Sequence, residues 1–183
     1  RNIPLEIGVP EAPPAPVLPV TAHNLRILQL NIMKSRAGME ALVNDHQTIN
    51  HDLLIIQEPQ YPRTAPMSTT AHDGSTAYLH WEATRFRSLL YVNKRMSASS
   101  HRQIRCNHPN LVASKIWTAD IQYLVFSLYI PPVTLLQPSH ESSAQQLLNT
   151  IQTTIEEHSN STDRTTKLIL AEDFNRHHPA WNH

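Results

Sequence analysis

Five side chains of this sequence are of types that handle phosphate, water and a hard metal ion together, and each follows a short apolar run: Asn31, Glu58, Tyr129, Asp173 and Asn175. In Lys167–Asn175, K-L-I-L-A-E-D-F-N, the apolar stretch bounded by charge reads as a buried strand. Residues two apart in an extended chain point the same way, so Asp173 and Asn175 project together from its carboxyl end. A carboxylate beside a carboxamide suits a phosphate oxygen, a water and a divalent cation; an aspartate and an asparagine after a strand also suit an ordinary turn. Glu58 ends the run D-L-L-I-I-Q-E-P, where a half-buried carboxylate is costly unless paired or bound to a cation. That makes it the leading metal ligand, with an exposed strand-end acid as the alternative. Tyr129 stands two residues before Pro131, where its phenol either donates to a phosphate oxygen or packs as a half-buried aromatic. Asn31 closes L-R-I-L-Q-L-N. Several such residues, each at a strand end, argue for one pocket at one edge of a sheet, equipped for divalent-metal phosphoryl chemistry.

The elements that must position these residues are legible in order. Leu25–Ile32 reads as a buried strand, and Ser35 caps a helix whose stripe is Met39, Leu42, Val43 and His46. Asp52–Pro59 is a second strand, ended by its proline. Residues 60–76 form a Pro-, Thr- and Ser-rich loop. Strands are expected around Ala77–Trp81, Ser88–Asn93 and Leu111–Trp117, joined by basic, polar connections. Ile121–Pro132 is the most β-prone run, and Glu141–Glu157 carries a helical stripe of Ala144, Leu147, Leu148, Ile151 and Ile155. Strands alternating with helices predict an α/β fold, and no internal repeat is present.

With 183 residues the chain is long enough for one domain with a sizeable core. Six prolines in the first twenty residues mark 1–22 as a stiff, extended linker, leaving 23–183 for the domain. The sequence starts with Arg1 and shows no signal sequence and no apolar run of membrane-spanning length, so the expectation is an intracellular piece of a longer polypeptide with no membrane partner. One cysteine, Cys106, excludes an internal disulfide. Fifteen basic residues balance fifteen acidic ones, but Arg85, Arg87, Lys94, Arg95, Arg102, Arg105 and Lys115 form a basic band with Trp81, Phe86 and Tyr91 interleaved. Such a band suits a nucleic-acid backbone or a pair of surface strands with solvated charges. The twelve histidines are scattered, and His177–His178 lacks the spacing of a helical metal pair.

L-Q-L-N at Leu28–Asn31, I-I-Q-E-P at Ile55–Pro59, Y-I-P-P at Tyr129–Pro132 and D-F-N at Asp173–Asn175 resemble, in order and spacing, the endonuclease/exonuclease/phosphatase superfamily. Within it, D-F-N-R-H-H-P-A-W is most similar to the apurinic-type endonuclease domain of non-LTR retrotransposons. The resemblance implies a four-layered α/β sandwich, two facing β-sheets flanked by helices, and Mg²⁺-dependent hydrolysis of a phosphodiester, with Mn²⁺ as a substitute. It implies that Glu58 holds the metal with Asn31 beside it, that Tyr129 contacts the scissile phosphate, that Asp173 aligns the attacking water and that Asn175 steadies the phosphoryl oxygens. The implied partners are DNA and a downstream reverse transcriptase domain, and the implied location is the nucleus.

The family's usual glycine before D-F-N is Glu172 here, and its terminal S-D-H motif does not occur in the 183 residues. The expectation is therefore a nuclease domain cut short, its second sheet incomplete, weakly active or inactive as this fragment. The basic band favours DNA over a phosphomonoester or a small phosphodiester. The alternatives are a phosphatase or phosphodiesterase of the same superfamily, and a non-catalytic remnant or interaction module.

Overall fold

The computed structural model describes residues 24–60, 76–78, 86–131, 139–160 and 164–174. The Pro-rich segment 1–22, most of the 60–76 loop, Trp81, Arg85, Asn175 and His177–His178 lie outside the described residues.

Two four-stranded sheets form the body. The first contains β1 (Ile27–Asn31), β2 (Leu53–Gln57), β3 (Thr76–Tyr78) and β4 (Ser88–Val92), in the order β1-β2-β4-β3. The second contains β5 (His101–Ile104), β6 (Leu111–Trp117), β7 (Ile121–Ile130) and β8 (Thr165–Phe174), in the order β5-β6-β7-β8. β1 runs parallel to β2 and β7 parallel to β8; the other pairs are antiparallel. The mixed directions follow from the connections. The parallel pairs are bridged by the helices α1 (Arg36–Asn44) and α2 (Ser139–His158), because a parallel partner needs a crossover.

Strand alternation sorts the apolar side chains into three cores. Leu53, Ile55, Leu90, Val92, Val112, Ile116, Val125 and Ala171 meet between the sheets. On the outer face of the first sheet, Ile56, Leu89 and Phe86 pack with Leu42 of α1 and with Ile32. On the outer face of the second, Leu124, Phe126, Leu128 and Ile130 pack with Ala144, Leu147 and Ile151 of α2. The result is the helix–sheet–sheet–helix sandwich that the motifs imply. Fully burying a side chain such as Phe126 stabilises the fold by about 1.5–3 kcal/mol, so these cores carry most of the stability.

Several local expectations change. Ser35 caps α1 as anticipated, its Oγ accepting from the Gly38 N–H at 3.0 Å. The helix then ends at Asn44, so His46 lies beyond the expected stripe, and Val43 is exposed. β5 arises where only a polar connection was read. H-R-Q-I has too few apolar residues to signal a strand, yet it adds to the sheet by pairing with β6 and tucks in His101 and Ile104. β8 is ten residues long and contains Asp173 within it instead of ending before it. It is also less buried than its sequence suggests: Leu168 and Leu170 are 46% and 52% exposed. β8 pairs with β7 along one side, and among the described residues no strand pairs with its other side.

Candidate active site

The carboxyl ends of β1, β2, β7 and β8 come together at one end of the sandwich. β1 and β2 are parallel, and Asn31 pairs in register with Gln57, so Asn31 and Glu58 leave adjacent strands side by side. β7 and β8 are also parallel, and Tyr129 pairs in register with Asp173. Tyr129 is buried and stands four residues after Val125, which faces the space between the sheets.

Two glutamines lock the sheets together just behind this end. Gln57, fully buried, donates from Nε2 to the Ala171 carbonyl at 3.2 Å. Gln29 donates from Nε2 to the Glu172 carbonyl at 2.7 Å. Two backbone acceptors immediately before Asp173 are thereby tied to β1 and β2, which fixes the spacing between Asp173 and the Asn31–Glu58 pair. The buried Gln57 amide is stabilising only because it is bonded, at about 1 kcal/mol net for the bond.

The chain beyond β1 and β2 is unusually constrained. Among the described residues, the non-glycine residues with left-handed backbone are Met33, Lys34 and Glu58, at φ of 50°, 56° and 48°. All three belong to this end. Asn31 Oδ1 accepts the Met33 N–H at 2.7 Å, closing a turn on its own backbone. The Glu58 N–H donates to the Arg87 carbonyl, and the Glu58 carbonyl accepts the Lys34 N–H, both at 2.8 Å. These bonds hold a conformation that costs on the order of 1 kcal/mol or more per residue, and strain of this kind gathers at functional sites.

The Glu58 side chain is only 15% exposed and is paired twice. Arg87 Nη1 lies 2.6 Å from Oε1, and Lys34 Nζ lies 3.3 Å from the same oxygen. Arg87 Nη1 also donates to the Tyr129 hydroxyl at 3.3 Å, and its guanidinium stands 5.0 Å from the Tyr129 ring centroid. Arg87 thus joins two of the residues singled out from the sequence, Glu58 of one sheet and Tyr129 of the other. Tyr129 is 4% exposed and packs as a buried aromatic, with its hydroxyl accepting from Arg87.

Asn31, Glu58 and Tyr129 therefore meet at one end of the molecule, and the backbone of Asp173 is in register beside Tyr129. Asn175 lies outside the described residues. Among the described residues no group of three or more His, Cys, Asp or Glu side chains gathers to hold a metal. The donor set consists of one carboxylate and one amide oxygen, both hard ligands, and Glu58 draws cations to itself in the form of Arg87 and Lys34. That chemistry fits a hard divalent cation in the place of the two side-chain cations. The residues not singled out individually from the sequence are Arg87, Lys34, Gln29 and Gln57. The glutamines have a readable signal, a lone amide inside L-Q-L-N and I-I-Q-E. The cations have none, since their partner is reached only through the fold.

The basic band does not form one surface. Arg87 goes to Glu58 at the site end, Arg95 pairs with Asp52 at the opposite end, and Arg102 lies beside Lys115 and over Trp117 on the outer face of the second sheet. Cys106 is partly buried near Thr154, and burial pushes its thiol up, away from nucleophilic use. No helix among the described residues is long and apolar enough to cross a membrane.

Residues 123–183 match a family model described as endonuclease-reverse transcriptase. No curated protein matches the chain. Among solved structures, one similar chain is TDP2 from C. elegans, with a TM-score of 0.51 and 11% identity over 84% of this chain and 48% of that one. Another is the endonuclease domain of TRAS1, a telomere-specific non-LTR retrotransposon, with a TM-score of 0.48 and 20% identity over 86% of this chain and 62% of that one. The chain thus spans about half to three-fifths of the length of these two structures. The carboxyl-terminal third of the chain is thus similar to the endonuclease-reverse transcriptase family, and its two-sheet sandwich is similar to the fold of TDP2.

Proposed function

We propose that this domain is a Mg²⁺-dependent phosphodiesterase that nicks DNA, acting as the endonuclease of a retrotransposon polyprotein with a reverse transcriptase downstream. The observation that carries the reading is Glu58: a half-buried carboxylate at the shared strand ends, already collecting two cations, with the Tyr129 hydroxyl linked to it through Arg87. The description of the matched family couples an endonuclease with a reverse transcriptase, which supports the polyprotein context.

Glu58 and Asn31 would hold the cation. Bound there, it would neutralise charge developing on the leaving oxygen. The Tyr129 hydroxyl, fixed by the core, is the donor for a non-bridging phosphate oxygen. Asp173, in register with Tyr129, orients the attacking water, and Asn175 donates to the phosphoryl oxygens. The Gln29 and Gln57 ties keep the two halves of this set at a constant separation.

The test is conversion of supercoiled plasmid to the open circle by the purified chain with Mg²⁺, run beside a chelated control and Glu58→Gln. Nicking that depends on both the cation and Glu58 supports the proposal. Turnover of a small phosphate ester without nicking would move the substrate to a phosphomonoester. A second reading, a non-catalytic module, is favoured by the same pairing of Glu58 with Arg87 and Lys34, which leaves its Oε1 engaged. It requires that Glu58→Gln and Asp173→Asn alter neither cation binding nor DNA binding.

A further inference from the structure

Arg87 has a geometry that the proposed chemistry does not itself call for. Its Nη1 touches the Glu58 carboxylate at 2.6 Å and the Tyr129 hydroxyl at 3.3 Å, while its Cζ lies over the Tyr129 ring, 5.0 Å from the centroid. Its backbone carbonyl takes the N–H of Glu58 at 2.8 Å, so residue 87 holds residue 58 by main chain and side chain alike. Lys34, on the other side, reaches the same carboxylate oxygen with its ammonium at 3.3 Å. The two cations differ in how firmly they are held. The Lys34 side chain is 53% exposed, and the Arg87 side chain is 37% exposed and held by two residues, Glu58 and Tyr129.

We infer that Arg87 is a resident counter-cation of Glu58, a positioning residue that holds the carboxylate in place and must leave Oε1 before a divalent cation can bind there. The inference rests on the proposed reading of the site as cation-dependent. A guanidinium and a divalent ion cannot both sit against one carboxylate oxygen without strong repulsion, because the site is half-buried and screening is weak. Arg87 has somewhere to go. Its place over the Tyr129 ring and its bond to the phenol do not involve Glu58, so the guanidinium can slide off the carboxylate and stay over the ring, at the hydroxyl proposed to meet the phosphate. Cation entry and exposure of a phosphate-facing guanidinium are then one movement. The affinity for the free cation is held down by the bond that must break, and an anionic substrate, by giving the released guanidinium a partner, raises it.

The test is direct binding of Mn²⁺ to the 183-residue chain, followed by the electron paramagnetic resonance of the free ion. Arg87→Gln removes the competing charge and is expected to bind Mn²⁺ about tenfold more tightly than wild type, the equivalent of one charge-assisted hydrogen bond. A residue with only a structural role would weaken binding when removed, so the sign of the change is the diagnostic. Arg87→Lys keeps a cation and is expected to stay near the wild-type affinity. Lys34→Gln, removing the more exposed partner, is expected to tighten binding by about twofold, and it covers the case in which Arg87→Gln does not fold. Equal or weaker binding by Arg87→Gln that melts as a folded protein overturns the inference alone. Absence of saturable Mn²⁺ binding in wild type and both glutamine variants overturns it together with the cation-dependent reading of the site.

Discussion

Strand β2 carries a carboxylate at each end, and the two are built differently from the same ingredients. Asp52 precedes its first residue and Glu58 follows its last. Each is mostly buried, with side chains 19% and 15% exposed, and each stands between two cations. At the Asp52 end the short bond is to the backbone: Oδ2 accepts the Arg26 N–H at 2.8 Å, while Arg26 and Arg95 reach it only at 3.9 and 3.6 Å. The surrounding main chain completes the clamp, with the Asp52 carbonyl taking the Asn93 N–H at 2.9 Å and Asn93 Nδ2 donating to the His51 carbonyl at 2.9 Å. At the Glu58 end the short bond is to the Arg87 side chain, and the backbone is left-handed. A carboxylate bonded to the main chain cannot change partners without unfolding its surroundings. One bonded to side chains can. The comparison assigns Asp52 to stability and leaves Glu58 available for chemistry.

Breaking each end separately should dissociate stability from activity. The largest effect expected is on nicking by Glu58→Gln, a loss on the order of a hundredfold or more, the scale of a lost metal ligand. The amide keeps an acceptor for Arg87, so the variant should melt close to wild type; a full loss of folding would show that Glu58 is a clamp like Asp52. Gln57→Leu should come next. It strips the Ala171 carbonyl of its buried donor and should lower the unfolding free energy by about 1–3 kcal/mol in urea titration. Asp52→Ala should destabilise by about 1 kcal/mol and leave Mn²⁺ affinity unchanged. A change in cation binding there would erase the distinction between the two ends.

The smallest effect is on pH dependence. Burial lowers the His101 pKa below its ordinary 6.5, and burial with the nearby Lys115 and Arg102 lowers that of His158, against an opposing pull from Glu157. The unfolded chain therefore takes up protons before the folded one does. The stability from these neutral imidazoles is fully present above pH 6.5 and falls away as the pH drops from there through the lowered folded values. Melting temperatures measured from pH 7.5 down to pH 5 should decline, and His101→Gln should make the decline shallower. A slope unchanged in that variant would remove His101 from the explanation.

Much of the fold was readable because it rests on local patterns. The strands at Leu111–Trp117 and Ser88–Val92 and the α2 stripe follow from β-branched density and helical spacing. β5 was not readable, because an edge strand is created by its neighbour's hydrogen bonds and needs few apolar residues of its own. The length of β8 was missed for a related reason: T-T-K extends it by pairing with Ile121–Tyr123, a partner far away in sequence. At the site, Asn31, Glu58 and Tyr129 stood out as polar types at the ends of apolar runs, and the fold does bring them together.

By itself the sequence determined the alternation of faces, the two helices, the strand-end residues and the family motifs, since each depends on residues within a few positions of one another. Only the tertiary structure decided which residues guard them. Arg87 is 29 positions from Glu58 and 42 from Tyr129, and it reaches both because β4 lies antiparallel beside β2 and the second sheet stacks on the first. Gln57 reaches Ala171 across 114 positions for the same reason. No periodicity encodes such contacts. They exist because burying the apolar faces of two sheets against each other leaves the polar ends of their strands nowhere to go except toward one another.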